Sequence, residues 1–392
     1  MNRLKTSILG IEFENPFILA SAPPTASIKS IDKAFQLGWG GAVLKTITPD
    51  NLEMLEASPR FTTLKSNNKA IGFQNIELLS HKTISEWCEG IKYLKEKHPT
   101  KVIIASIMAP VDRQAWQNLV LQLNETPIDA FELNFSCPHG MPERNIGMAI
   151  GTSAEVSILI TSWVREVAQK PFFVKLTPNV TDITWISKAV EKAGANGISA
   201  INTVQGFMGV DLETLEPKLN IDGMTTYGGC SGTIIKPIGL RCVSQIRKST
   251  NLPILGMGGI SNWGDAVEYI MLGSNAVQVC TEVMLNGYSI INNLKKGLID
   301  YMEAKSFNSI EEMQGLIVKK ITSHEKLNKT KILYPQIDAD KCVKCGKCVT
   351  ICDESGHKAL KLENDKVEVL KDKCEGCSLC QYVCPQKSII LG

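Results

Sequence analysis

The sequence predicts an α/β protein in which a (β/α)8 barrel is followed by a small α+β domain. Three observations point there. Eight short β-rich runs alternate with helix-period segments through the first 280 residues. Most of these runs are continuously apolar, as strands buried on both faces must be. The composition then changes abruptly beyond Gln336, where eight of the thirteen cysteines fall between Cys342 and Cys384.

The eight runs are Phe17–Ser21, Gly41–Thr46, Val102–Ile107, Ala130–Phe135, Phe172–Leu176, Gly197–Asn202, Pro253–Met257 and Ala276–Thr281. Phe17–Ser21 is the weakest strand signal. Helical period occupies Ile28–Leu37, Ala154–Gln169, Asp182–Ala193 and Asn262–Leu272, and Gly38, Gly194 and Gly273 stand where helices commonly end. Eight such units in this length match the ~250 residues typical of a TIM barrel. A doubly wound open sheet is the rival, but it usually has fewer strands, and no early G-x-G-x-x-G fingerprint is present. The stretches 46–80 and 203–236 are long for βα loops and are expected to overhang the C-terminal mouth, where barrel enzymes act. The expected organisation is a barrel over 1–304, helix and linker over 305–335, and the cysteine-rich domain over 336–392.

Hydrophobic content of 44%, charged content of 21% and a net charge of +2 describe an ordinary globular protein with no electrostatic reason to bind nucleic acid or an anionic membrane. No apolar run approaches the ~20 residues of a membrane span. The first residues lack the apolar core of a secretory signal, so a cytoplasmic location is expected. In a reducing compartment, dense cysteines point to metal rather than disulfides.

The tail reads Cys342-x2-Cys345-x2-Cys348-x3-Cys352 and then Cys374-x2-Cys377-x2-Cys380-x3-Cys384-Pro385. This is the spacing of two-cluster bacterial ferredoxins, in which three thiolates of one loop hold a 4Fe–4S cubane and the fourth reaches across to the other. Cys342, Cys345, Cys348 and Cys384 are therefore assigned to one cluster, and Cys374, Cys377, Cys380 and Cys352 to the second. Zinc ribbons instead separate two C-x2-C pairs by a longer gap. Asp353 replaces the usual proline after the first motif, which removes no ligand. Such clusters move single electrons and leave carbon chemistry to another cofactor.

That chemistry is expected at the strand C-terminal ends. Lys45, Asn134-Phe135-Ser136-Cys137-Pro138, Lys175, Asn202-Thr203, Gly258-Gly259 and Cys280-Thr281 converge there. Each has a bland reading alone, as a loop-bonding amide, a small hydrophobe, a solvent-reaching cation or a turn. Together they suggest a site. Gly258-Gly259 with the backbone of Cys280-Thr281 suits the phosphate site found after strands seven and eight, and Ser231-Gly232 adds amide donors. Lys175 suits the N1–O2 edge of a reduced flavin, with Lys45 as a second contact. Asparagines suit a ring that both donates and accepts hydrogen bonds.

These residues resemble the dihydroorotate dehydrogenase superfamily, and within it the dihydropyrimidine dehydrogenase family. The matching stretches include Asn75-Ile76-Glu77-Leu78, Ala105-Ser106-Ile107-Met108, 133–141, 175–182, Thr226-Tyr227-Gly228-Gly229 with Ser231-Gly232-Thr233, and Cys345-Gly346-Lys347-Cys348. The resemblance spans nearly the whole chain. It implies flavin mononucleotide (FMN) in the barrel and two 4Fe–4S clusters in the tail. It implies substrate contacts at Asn75, Glu77, Asn134, Ser136, Asn202 and Thr203, and flavin contacts at Ala20, Lys45, Lys175, Gly232, Gly259, Cys280 and Thr281. Cys137 would be the general acid–base, its thiol of ordinary pKa ~8.5 giving a proton to pyrimidine C5. In bacterial relatives a separate subunit carries FAD and the NAD(P) site, so an electron-input partner and a hetero-oligomer are expected. The loops at 72–74 and 142–147 depart from the family's animal members and leave the exact ring open.

Other readings are a dihydroorotate-type dehydrogenase, a reductase of another conjugated cyclic amide or carbonyl, and an electron carrier with a silent barrel. His139 stands where the dihydroorotate branch commonly has asparagine, and Glu77 suits an orotate carboxylate poorly. Cys137 among asparagines argues against a silent barrel.

Overall fold

A computed structural model of the chain describes residues 3–52, 55–136 and 147–392. It separates into two compact units, Met1–Lys320 and Ile321–Gly392.

The first unit is a closed barrel of eight parallel strands. They are β1 (Phe17–Leu19), β2 (Gly41–Val43), β3 (Val102–Ile107), β4 (Ala130–Asn134), β5 (Phe172–Leu176), β6 (Gly197–Ala200), β7 (Ile254–Met257) and β8 (Ala276–Val279). Neighbours in sequence are neighbours in the sheet, and β8 closes on β1 through Val277 opposite Phe17. The open-sheet alternative is thereby set aside, and the weakly signalled first strand is a full member. Eight helices follow the strands: α1 (Ile28–Leu37), α2 (Ile84–Lys97), α3 (Arg113–Asn124), α4 (Ala154–Val167), α5 (Ile183–Lys192), α6 (Lys236–Ser249), α7 (Trp263–Met271) and α8 (Ile290–Ala304).

Local chemistry sets their limits. Ser27, Asp112, Ser153 and Asp182 cap helix N-termini with their side chains, and Thr83–Glu86 and Asn262–Asp265 form reciprocal capping boxes. Gly38, Gly194 and Gly273 end helices at φ of 103°, 96° and 113°, a region costly for any residue with a Cβ.

Period-two alternation divides the strand residues between two cores. Outward residues such as Leu19, Ile103, Leu133, Val174 and Val277 pack under the helices. Inward residues Ile18, Val43, Ile104, Ala130, Phe173, Leu255 and Ala276 form a second cluster with Ile8 and Phe13. Those last two come from an N-terminal hairpin, Thr6–Ile8 with Ile11–Phe13, which plugs the barrel at this end. Towards the C-terminal ends the inward positions turn polar, with Ser106, Glu132, Asn134, Lys175, Ser199 and Gln278 all buried.

The two long loops expected to overhang the mouth contain a four-stranded antiparallel sheet in the order Val204–Gly206, Gly228–Gly232, Lys69–Asn75, Phe61–Ser66. Gly229 pairs with Asn75 and Gly232 with Gly72, so segments far apart in sequence fasten each other. The residues after α8 also join this unit to Lys320 rather than forming linker from 305: Ile310 and Met313 enter its core, and the Gly315 and Ile317 amides donate to Ile270 and Met271 carbonyls of α7.

The second unit is a small α+β module. Pro335–Ile337 pairs with Ile389–Leu391, and Leu360–Glu363 with Lys366–Val369. Two short helices, Lys347–Glu354 and Leu379–Val383, complete it. Its halves are a sequence repeat, since each cysteine of the second motif stands 32 residues after its counterpart. The backbone repeats as well. Lys344 and Gly346 have φ of 58° and 72°, and their counterparts Gly376 and Ser378 have 70° and 67°. No described helix is long and apolar enough to cross a membrane.

Candidate active site

A cleft enclosing about 990 Å³ of non-protein space, its open mouth included, lies at the C-terminal end of the barrel. It is lined by Ala20, Lys45, Asn75, Glu77, Asn134, Lys175, Asn202, Thr203, Ser231, Gly232, Gly258, Gly259, Cys280 and Thr281, among others. Strand ends supply most of these, and the mouth sheet supplies Asn75, Ser231 and Gly232. Ser136 is placed differently: it is fully buried and its hydroxyl lies between two asparagines. Cys137 lies outside the described residues.

The polar wall is a connected hydrogen-bond chain. Thr46 Oγ1 sits 3.2 Å from Ser21 Oγ and 2.9 Å from Ser106 Oγ, and accepts from Asn134 Nδ2 at 3.0 Å. Asn134 Oδ1 accepts from the Ser136 hydroxyl at 3.1 Å and its amide at 3.3 Å. Ser136 Oγ in turn accepts from Asn202 Nδ2 at 2.7 Å, and Asn202 Oδ1 takes the Thr203 amide at 2.8 Å. These partners fix which way each carboxamide faces. Each keeps one N–H outside the chain, a donor matched to a ring carbonyl. Thr203 Oγ1 is buried without a hydrogen-bond partner, a cost that a bound polar ligand would remove. From the mouth sheet, Asn75 Nδ2 donates to the Gly229 carbonyl at 2.9 Å.

The charged groups are paired. Lys45 Nζ lies 3.1 Å from Glu77 Oε1, and Arg60 Nε 3.1 Å from Glu77 Oε2. Deeper in the barrel, Lys175 Nζ is 3.4 Å from Glu132 Oε1. Burial pushes the Cys280 thiol up to about 11 against the opposing pull of Lys175 and Lys45, so it is a neutral wall atom at physiological pH.

The glycines make a cradle. Gly232, Gly258 and Gly259 have φ of 93°, 128° and 74°, and a Cβ on Gly259 would stand 2.6 Å from the Gly232 carbonyl and 3.0 Å from the Lys236 amide. Two backbones and the start of α6 thus meet where only glycine fits, the arrangement that lets amides approach a phosphate. Tyr269 holds the Gly258 carbonyl at 2.7 Å, and Thr281 donates to Ser231 Oγ at 3.0 Å. With Ile201, Ile235, Met257, Ile260 and Met284 as apolar walls, the cleft fits a planar ring on a phosphorylated tail.

In the second unit the cysteines surround two voids. Cys342, Cys345, Cys348 and Cys384 line one; Cys352, Cys374, Cys377 and Cys380 line the other. The fourth cysteine crosses over in each case. That exchange of the fourth ligand between two loops is the arrangement of a two-cluster ferredoxin, so each quartet fits a 4Fe–4S cluster.

Several polar residues escape a reading of strand ends alone: Thr46 and Gln278 line the cleft, and Ser106, Glu132 and Ser199 are fully buried partners in the hydrogen-bond and ion-pair contacts behind it. The signal for Glu132 and Gln278 is alternation: each stands two residues before a strand-end site residue, hence on the same inward face.

Fold and site together define a class: a redox barrel built for a phosphorylated planar cofactor and joined to a two-cluster electron-transfer module. Residues 3–302 match the family model described as dihydroorotate dehydrogenase, and residues 335–391 match a 4Fe-4S dicluster domain. The chain is 38% identical to the NAD-dependent dihydropyrimidine dehydrogenase subunit PreA of Escherichia coli, over 99% of this chain and 95% of that protein. It is 38% identical to the chloroplastic dihydropyrimidine dehydrogenase (NADP(+)) of Arabidopsis thaliana, over 83% of this chain and 79% of that one. The dihydroorotate dehydrogenase B (NAD(+)) catalytic subunit of Pyrococcus abyssi is 35% identical over 81% and 99% of the two chains. The chain belongs to the dihydroorotate dehydrogenase family. It is an oxidoreductase of pyrimidine dehydrogenase type whose cofactors are FMN and 4Fe–4S clusters.

Proposed function

We propose that the chain is the catalytic subunit of a dihydropyrimidine dehydrogenase. It saturates the C5–C6 bond of uracil or thymine, or runs the reverse oxidation, and exchanges electrons with NAD(P)H through a partner subunit carrying FAD. The chain of hydrogen bonds from Thr46 to Thr203 carries this reading, because it leaves fixed amide donors in a cleft that also holds Asn75 and Glu77. The full-length similarity to the Escherichia coli subunit supports it, and so does that protein's description as a subunit.

Bound FMN supplies hydride exchange with pyrimidine C6, and the clusters supply single electrons. The chain's own residues do the rest. Ser231, Gly232, Gly258, Gly259 and Thr281 hold the flavin phosphate, with the backbone at Ala20 and Cys280 against the cofactor. Lys175 offsets negative charge on the reduced ring, and Lys45 is a second flavin contact. Asn134 and Asn202 donate to the substrate carbonyls, Ser136 fixes both amides, and Asn75 and Thr203 complete the polar contacts. Glu77 accepts a ring N–H. The Cys137 thiol delivers the proton to C5 and takes it back in the reverse direction. In the tail, Cys342, Cys345, Cys348 and Cys384 ligate one cluster, and Cys374, Cys377, Cys380 and Cys352 the other.

An anaerobic single turnover tests the reading without the partner. Loaded protein is reduced with dithionite, freed of excess reductant and mixed separately with uracil, thymine or orotate. Reoxidation of the flavin by uracil or thymine, with the dihydro product formed, is expected. Reoxidation by orotate alone would place the chain with the dihydroorotate-type enzymes. Cys137→Ala is expected to keep its cofactors and lose turnover by a factor on the order of 10²–10⁴; near-normal turnover would remove Cys137 from acid–base work.

A further inference from the structure

Below the proposed flavin contact at Lys175 lies a buried polar group that the mechanism above does not use. Glu132 projects inward from β4 and has no exposed surface. Its Oε1 is 3.4 Å from Lys175 Nζ, and its Oε2 accepts from Gln278 Nε2 at 2.7 Å. A carboxylate only accepts, so Gln278 must turn its amide nitrogen towards Glu132. The nitrogen also reaches Ser199 Oγ at 3.4 Å. The amide oxygen is thereby fixed on the other side. That Gln278 Oε1 is buried without a hydrogen-bond partner, and Gln278 lines the cleft.

We propose that Glu132 is a positioning residue that lowers the reduction potential of the flavin bound in this cleft, acting through Lys175 and Gln278. The inference rests on the reading that Lys175 faces the flavin. Reduction adds negative charge to the ring, and an unopposed ammonium beside it would favour the reduced form strongly in a water-poor site. Glu132 offsets part of that cation and restrains its position. It also presents the Gln278 carbonyl oxygen as a fixed acceptor in the cleft wall. The lysine then stabilises the reduced flavin enough to accept electrons but not so much that it withholds them from a pyrimidine.

The test is a spectroelectrochemical titration of the flavin in full-length, cofactor-loaded protein. Glu132→Gln is expected to raise the midpoint by about 30 mV, equivalent to about a tenfold gain in preference for reduced over oxidised flavin in a two-electron couple. Glu132→Asp, which keeps the charge but draws it back by a methylene, is expected to give a smaller rise, and serves if the first variant fails to fold. Lys175→Gln is expected to lower the midpoint and to remove most of the effect of adding Glu132→Gln. A lowered midpoint in Lys175→Gln alongside an unmoved or lowered midpoint in the Glu132 variants would overturn the role of Glu132 and leave Lys175 at the flavin. An unmoved midpoint in Lys175→Gln would overturn the placement of Lys175 itself, and the inference with it.

Discussion

At the scale of single residues, the sulfurs of the two crossing cysteines differ in their hydrogen bonds. The Cys352 sulfur accepts a hydrogen bond from the Ala359 amide at 3.2 Å. The Cys384 sulfur is approached by two groups, the Ser388 amide at 3.3 Å and the Ser388 hydroxyl at 3.1 Å. Ala359, whose amide reaches its cysteine as the Ser388 amide does, has no hydroxyl to offer. Bound to iron the sulfur can only accept, and hydrogen bonds to cluster sulfurs raise the potential. Ser388→Ala is therefore expected to lower the midpoint of one cluster and leave the other unchanged, as read by an EPR-monitored redox titration; equal shifts in both would contradict it. The cysteine quartets were legible because ligand spacing is local in the chain. Ser388 was not, because nothing in a serine's sequence position reveals that its hydroxyl turns back to a sulfur.

At the scale of elements, strands and helix ends were legible because apolar runs, caps and left-handed glycines are local signals. The mouth sheet was not. Gly228–Gly232 and Lys69–Asn75 pair across more than 150 residues, and the glycines that permit the approach read as ordinary loop. A Cβ on Gly72 would stand 2.4 Å from the Ser231 carbonyl. Gly72→Val is thus expected to force Ser231 and Gly232 out of the cradle and weaken FMN retention by about tenfold or more, measured by fluorescence of released flavin, while far-ultraviolet dichroism stays near that of the parent. A second element-scale tie joins α1 to α2. Asp32 lies 2.7 Å from His98 Nε2 and 2.8 Å from Lys97 Nζ, and these partners, His98 first, hold its carboxyl down at about 2. Its folded value lies below its unfolded one, so the stabilisation is present above pH ~4 and is lost as pH falls through ~2. Asp32→Asn is expected to cost about 1 kcal/mol at pH 6 and only a small part of that at pH 2, a convergence that melting curves at the two pH values would check.

At the scale of the whole molecule, the division of labour was legible from the change in composition near Gln336, because an apolar barrel and a cysteine-rich module need different residues. Where the first unit stops was less so. Ile310 and Met313 fill gaps in the barrel's helical layer, but two apolar residues in a polar stretch give no periodic signal. In the proposed electron route the clusters serve exchange with the partner, whereas the flavin alone meets the pyrimidine. Selective destruction of the clusters with ferricyanide and a chelator is therefore expected to abolish NAD(P)H-driven turnover in the complete enzyme. It is expected to spare single-turnover reoxidation of the reduced flavin by uracil; loss of both would show that the clusters also support the barrel's chemistry.

The hairpin that plugs the barrel gives the chain an awkward birth. Ile8 and Phe13 are made before every strand they cover, yet their cluster includes Leu255 and Ala276, and β1 finds its second neighbour only when Val277 arrives opposite Phe17. At a synthesis rate of about 5–20 residues per second, these greasy side chains wait on the order of ten seconds or more on the ribosome before the last of their native partners is made. Ring closure is thus deferred until most of the message has been read, and a nascent chain that stalls before β8 presents both an unpaired strand edge and an uncovered apolar hairpin to whatever chaperone or aggregate meets it first.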